Sequence, residues 1–333
     1  MFELDQIGNE LSPYEDKLKD MGKLLGIEEA KEKIAELEEI SADPDFWSDM
    51  TKSQKTMQTI YNIMEAIIPF SFIKFDFMKN ALLATILLTP LFGMLGTMAV
   101  NNKMAFFSDA LGHSALTGIA IGVILGTKNV IISMIIFGII FGLAIRKVKS
   151  NTKTSSDTVI SVFSSTSIAL GIVILSKSGG FAKYSSYLIG DILTISPADI
   201  KIMAIFLIVV YIIWYFIYNQ LLLLSINPSL SASRGIRNAL IENIFVVTIA
   251  IAVMISIKQI GILTINSLLI LPAAATRNIC SNSKQYHIIS TVIALVCGIA
   301  GLVISFYTGT AAGATMVLIA AAVYFITYLK SNK

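Results

Sequence analysis

Histidine and cysteine are almost missing from this chain. Its 333 residues hold two of each, His113 and His287, Cys280 and Cys297. Both cysteines lie in or near hydrophobic segments without metal-ligand spacing, which excludes a zinc knuckle and a disulfide framework. No H-E-x-x-H set exists, so an intramembrane metalloenzyme lacks its usual ligands. Charge is also scarce: Asp, Glu, Lys and Arg make up 14% of the residues while 55% are hydrophobic, a balance that excludes an ordinary soluble domain. The first residues are charged and helical in pattern rather than basic and then apolar, so no secretory signal is present. A phosphate-binding loop is missing too. The stretch "GIVILSKS" at 171–178 has Ser176 where the loop needs its second glycine, and it lies in an apolar run rather than after a soluble strand. The chain therefore carries no phosphate-binding loop for ATP.

What the chain has in abundance is long apolar runs. A bilayer core of roughly 30 Å needs about 20 apolar residues per helix. Runs near 81–100, 106–126, 129–145, 158–176, 199–218, 241–257, 260–276, 288–307 and 311–329 predict about nine transmembrane helices. The segment 184–195 is too short to span and reads as a re-entrant or surface helix. The fold class expected is all-α and polytopic, preceded by a short soluble helical segment.

Charge is unevenly placed. Residues 1–60 hold 15 of the 22 acidic and 7 of the 25 basic residues, so they are net −8 and the remainder net +11. Two kinds of protein are joined: a soluble helical segment over 1–63 and a membrane domain over 64–333. Eleven Lys and Arg, including Arg146, Lys147, Lys149, Arg234, Arg237 and Arg277, fall on one side of the spans and seven on the other. The richer side is the cytoplasmic one. With nine spans the soluble segment then falls outside the cell without an export signal, so we read it as a fusion, with Met64 as the natural start of the membrane domain.

Asp109 and His113 are four residues apart and share one helical face. A carboxylate inside a membrane is costly and usually faces a cavity or a partner. With an imidazole it can ligate zinc or manganese; a structural Asp–His pair is the equal alternative. Gly118, Gly122 and Gly126 repeat every four residues and offer a smooth helix-packing face, toward this chain or a second copy. Asp191 caps "DILTI" or makes an outer-side metal or partner contact. His287 reads as an interfacial residue, and Asp157 as the cap of a helix beginning at Thr158.

Several of these stretches carry a resemblance. "NNKMAFFSDALGHSALTGIAIGVILG" around Asp109 resembles the second helix of the zinc- and manganese-uptake ABC permeases. In the same order, "SSYLIGDILTIS" at 185–196, "IGILTINSLLILPAAATRN" at 260–278 and "AAGATMVLIAAAVYF" at 311–325 resemble further segments of that family, over residues 66–330 in all. The resemblance implies a fold of the vitamin B12 importer class and a permease homodimer in the lipid bilayer of the bacterial inner membrane. It also implies an ABC ATPase subunit inside and an extracellular solute-binding protein that delivers zinc or manganese, or iron. No permanent cofactor and no nucleic acid enter this picture, and the chain is not itself an enzyme. "NPSLSASRGI", 227–236, resembles the family's ATPase-coupling helix: Ala232 and Gly235 match, and Asn227, ahead of Pro228, stands where Asp is common. A plain cytoplasmic loop is the alternative. The first 55 residues, through "DPDFW" at 43–47, resemble the first helices of class-two bacterial peptide chain release factors. The Gly-Gly-Gln loop of those factors is absent, so a translation function is not implied.

Overall fold

The structure, a computed structural model, describes residues 27–41, 56, 59–60, 75–127, 129–177, 190 and 192–331. The chain divides into two units after residue 75. The first holds α1 (Ile27–Ser41), a 15-residue helix in which Ile34 and Leu37 recur among Glu and Lys. The "DPDFW" stretch and Met64 lie outside the described residues.

The described residues of the second unit form α2 (Asp76–Asn101), α3 (Phe107–Ile124), α4 (Val130–Asn151), α5 (Ser156–Lys177), α6 (Pro197–Ile226), α7 (Pro228–Ser233), α8 (Asn238–Arg277), α9 (Ser283–Thr308) and α10 (Ala312–Ser331), with a single 3-10 turn at Ile192–Thr194 and short turns between them. All but the short α7 are long and apolar enough to cross a membrane, which gives eight such helices. Their ends are marked by polar residues at the expected places. The Asn129 and Asn282 side chains accept from the backbone N–H of Ile131 and Gln285. Ser196 and Asp199 form a reciprocal capping box ahead of Pro197. The expected Asp157 cap is corrected: α5 begins at Ser156, and it is the Ser155 hydroxyl that accepts from the Thr158 N–H, because that oxygen sits one residue ahead of the first turn.

Eight helices and about nine expected spans are reconciled at α8. Its 40 residues amount to about 60 Å, twice the bilayer core. Gly261, with φ 74° and ψ 163°, interrupts the helix. Contacts on either side show that the chain doubles back there. Glu242 pairs with Arg146 at the inner end of α4, and Val246 packs where Gly142 meets Phe107. Further on, Thr264 packs against Gly313 at the start of α10, while Asn278 bonds Thr327 near its end. Residues 238–260 therefore run outward and 262–277 return beside α10. The spans predicted over 241–257 and 260–276 are the two limbs of one hairpin.

α2, α3 and α8 form the buried centre of the unit, and α4, α5, α6, α9 and α10 turn most of their apolar surface outward. Exposed Tyr215, Ile205, Val173 and Leu318 are what a lipid-facing surface requires. Lipid gives little hydrophobic incentive for helices to associate, so close backbone approach and polar contacts carry the packing. A Cβ on Gly96 would fall 1.7 Å from the Leu269 carbonyl oxygen, so only glycine lets α2 meet the returning limb. Ser290 donates to the Gly93 carbonyl at 2.8 Å, and Thr117 donates to the Ser167 carbonyl across α3 and α5.

Candidate functional site

Asp109 and His113 stand on α3, where small residues let neighbouring helices approach closely. His113 Nε2 lies 3.6 Å from Asp109 Oδ1. That is beyond a hydrogen bond, so the two are neighbours rather than a closed pair. Their side chains are 37% and 39% exposed, although the flanking Ala110, Leu111 and Gly112 are buried. Phe106, 57% exposed, continues the same open stripe. Phe107 meets Gly142, past the middle of α4, and Gly112 meets Ile262. The pair therefore sits in the first two turns of α3, between α4 and the returning limb of α8.

A third polar group completes the arrangement. Asn266, on the returning limb of α8, donates from Nδ2 to Asp109 Oδ1 at 3.4 Å and accepts the Ser108 hydroxyl on Oδ1 at 2.6 Å. Sequence reasoning missed Asn266. Its signal was a lone amide inside the apolar run "IGILTINSLLILP", but its partner is 157 residues away. No group of three His, Cys, Asp or Glu near enough to hold a metal ion occurs among the described residues. One copy thus presents two donors on an open face, half of the four that zinc prefers.

The other predicted residues fall as follows. At Gly118 and Gly122 a Cβ would meet Met134 and Ser133 of α4, so this pair packs within the chain. Gly126 is corrected: it lies beyond the end of α3 in a turn with φ +64°, has no neighbour within 4 Å of a Cβ, and does not share in helix packing. Asp191 lies outside the described residues. Its neighbour Gly190, φ +68°, has its backbone directly against Gly261, where any Cβ would collide. Asn227 ends α6 and caps α7, accepting from the N–H groups of Ser229 and Leu230, both at 3.0 Å. It supplies the cap that the more usual Asp would. Pro228, Ala232 and Gly235 are exposed at the basic end of the helices, and Gly235 has φ +77°. Ser231 and Asn238 tie this segment to α8 through a 2.7 Å bond. His287 is half-buried at the start of α9, its Nδ1 2.5 Å from Thr97 Oγ1 and its ring edge-on to Tyr218.

The sequence matches the model of the ABC 3 transport family over residues 74–331. The chain belongs to that family. It is similar to the high-affinity zinc uptake system membrane protein ZnuB of Haemophilus influenzae, with 30% identity over 78% of this chain and 99% of that protein. It is similar also to the manganese import system permease protein ScaB of Streptococcus gordonii, with 27% identity over 78% of this chain and 93% of that one. Among solved structures it resembles PsaBC from Streptococcus pneumoniae in complex with Fab, with a TM-score of 0.69 and 27% identity over 78% of this chain and 95% of the other. The ABC 3 membership and the apolar helices make this a multi-pass permease of the inner membrane. The release-factor resemblance of residues 1–55 gains no support from these matches, which begin at residue 74 for the family as a whole.

Proposed function

We propose that this chain is the permease subunit of an importer for a divalent transition metal, zinc or manganese, and that Asp109 and His113 are transient ligands on the transport path. The observation that carries this reading is the half-exposed Asp–His pair on a membrane-capable helix, in an ABC 3 chain whose relatives are named for zinc and manganese uptake. Two copies meeting about a two-fold axis along the open face of α3 bring two carboxylates and two imidazoles together. Four such donors offset the charge of the ion and suit zinc directly; manganese takes further oxygen ligands. Asn266 positions Asp109, and a loosely held pair lets cargo leave.

Energy enters at the basic face. The exposed α7 turn, with Asn227, Pro228, Ala232 and Gly235, is the segment that seats on an ABC ATPase, while the opposite side receives a metal-loaded binding protein. Alternating access then moves the ion between the two sides.

The test is uptake of zinc and manganese into vesicles holding the permease, its ATPase and its binding protein. Asp109→Asn keeps the size and most hydrogen bonding of the residue and removes the carboxylate. Uptake is expected to fall to background while ATPase docking persists, and His113→Ala is expected to do the same. Near-normal uptake by either variant in an assembled complex refutes the ligand role.

A further inference from the structure

We propose that the cytoplasmic end of α4 forms a binding site for an anionic phospholipid of the inner leaflet, with the headgroup in a cavity beside Arg146 and Lys149 and an acyl chain in the groove between α6 and α8. The site is independent of the metal path.

A cavity of about 140 Å³ opens where α4, α5, α6 and α8 converge at their inner ends. Its polar rim is Asn102, Arg146, Lys149, Ser150 and Glu242. Its floor includes Phe107, Ile145, Leu221 and Phe245, all at most 2% exposed. Arg146 Nε is 3.0 Å from Glu242 Oε2, and Lys149 Nζ is 3.4 Å from the Asn102 carbonyl. Two cations and one carboxylate leave the rim with one net positive charge. The Glu242 contact engages one N–H of a guanidinium that carries five, so the arginine has donors to share with a phosphate.

The cavity has an apolar neighbour. A groove of about 400 Å³ is lined by Leu143, Phe206, Val210, Ile213, Val247 and Ile251, among others. It begins beside the cavity, because Leu143 is one turn from Arg146 on α4 and Asn243 of the groove follows Glu242 on α8. From there it runs along the antiparallel faces of α6 and α8 toward mid-depth, reaching Phe206 and Ile251. Positive charge at the cytoplasmic interface, followed by an apolar channel leading into the bilayer, is the order of chemistry in an inner-leaflet lipid. A zwitterionic headgroup would leave the extra charge uncompensated, and a soluble anion would have no use for the groove.

The test uses purified full-length permease and native mass spectrometry with phosphatidylglycerol and phosphatidylcholine of matched chains. Wild type is expected to retain phosphatidylglycerol preferentially and to melt at a higher temperature with it than with phosphatidylcholine. Lys149→Gln, which leaves the Arg146–Glu242 pair in place, is expected to weaken retention about fivefold. Lys147→Gln, exposed on the same helix and outside the rim, is expected to leave retention unchanged. Val247→Trp, filling the groove from its open side, is expected to reproduce the loss without altering charge. Equal retention of the two lipids, or Lys149→Gln and Val247→Trp both behaving as wild type, overturns the site. Displacement of phosphatidylglycerol by equimolar glycerol 3-phosphate also overturns it, by showing a soluble phosphate site instead.

Discussion

Asn266 joins two helices at a single carboxylate oxygen. Its amide nitrogen reaches Asp109 Oδ1 and its carbonyl is held by Ser108, so the orientation of the amide is fixed by a hydroxyl one residue before the carboxylate it serves. Groups that orient a metal ligand are typically worth 10–100-fold in metal affinity. Asn266→Ala is therefore expected to raise the metal concentration for half-maximal uptake about tenfold while leaving the folded protein intact. Transport titrations in vesicles measure this, and an unchanged half-saturation would reduce Asn266 to helix packing. The Asp109–His113 pair was legible because a four-residue spacing is a statement about one helix. Asn266 was not, because its role is created by the return of α8 onto α3, a long-range event that no local pattern encodes.

At the scale of elements, polar residues and glycines set where helices stop and how closely they approach. The two limbs of the α8 hairpin were readable as the separate apolar runs 241–257 and 260–276, and Gly261 supplies the backbone conformation that the turn needs. What the sequence did not reveal is that Gly190 lies against that turn, backbone to backbone. In the glycine repeat after Asp109, Gly118 and Gly122 lie against α4. Gly126 stands beyond the end of α3, where a left-handed turn ends the helical register. The α7 turn has a similar dependence on backbone. Gly235 has open space around it, so a large side chain there disturbs the proposed docking face and the left-handed backbone rather than the core. Gly235→Trp is expected to leave the complex assembled while ATP hydrolysis loses its link to transport. ATPase stimulation and uptake measured on the same vesicles check this; normal coupling in the variant rejects α7 as the coupling element. Asn227→Ala, which removes the cap on α7, is expected to cost about 1 kcal/mol of local helix stability, and Asn227→Asp much less.

For the whole molecule, family membership begins at residue 74 and the membrane unit at Asp76. We infer that residues 1–63 are dispensable. A chain beginning at Met64 is expected to insert and to transport as the full chain does, measured by membrane yield and metal uptake. Loss of uptake at equal protein level would show that the first segment belongs to the working machine. The doubled-back α8 also bears on how the protein is made. Its outer turn carries a single charged residue, Lys258, which ends 4.0 Å from Asp199. The two limbs can enter the bilayer together as a preformed wedge, with no hydrophilic loop to haul across and only one ammonium to carry through. A central charge costs about 3 kcal/mol on translocon scales. The two apolar limbs offset that cost, so the outer turn is expected to cross the bilayer together with its limbs as one unit.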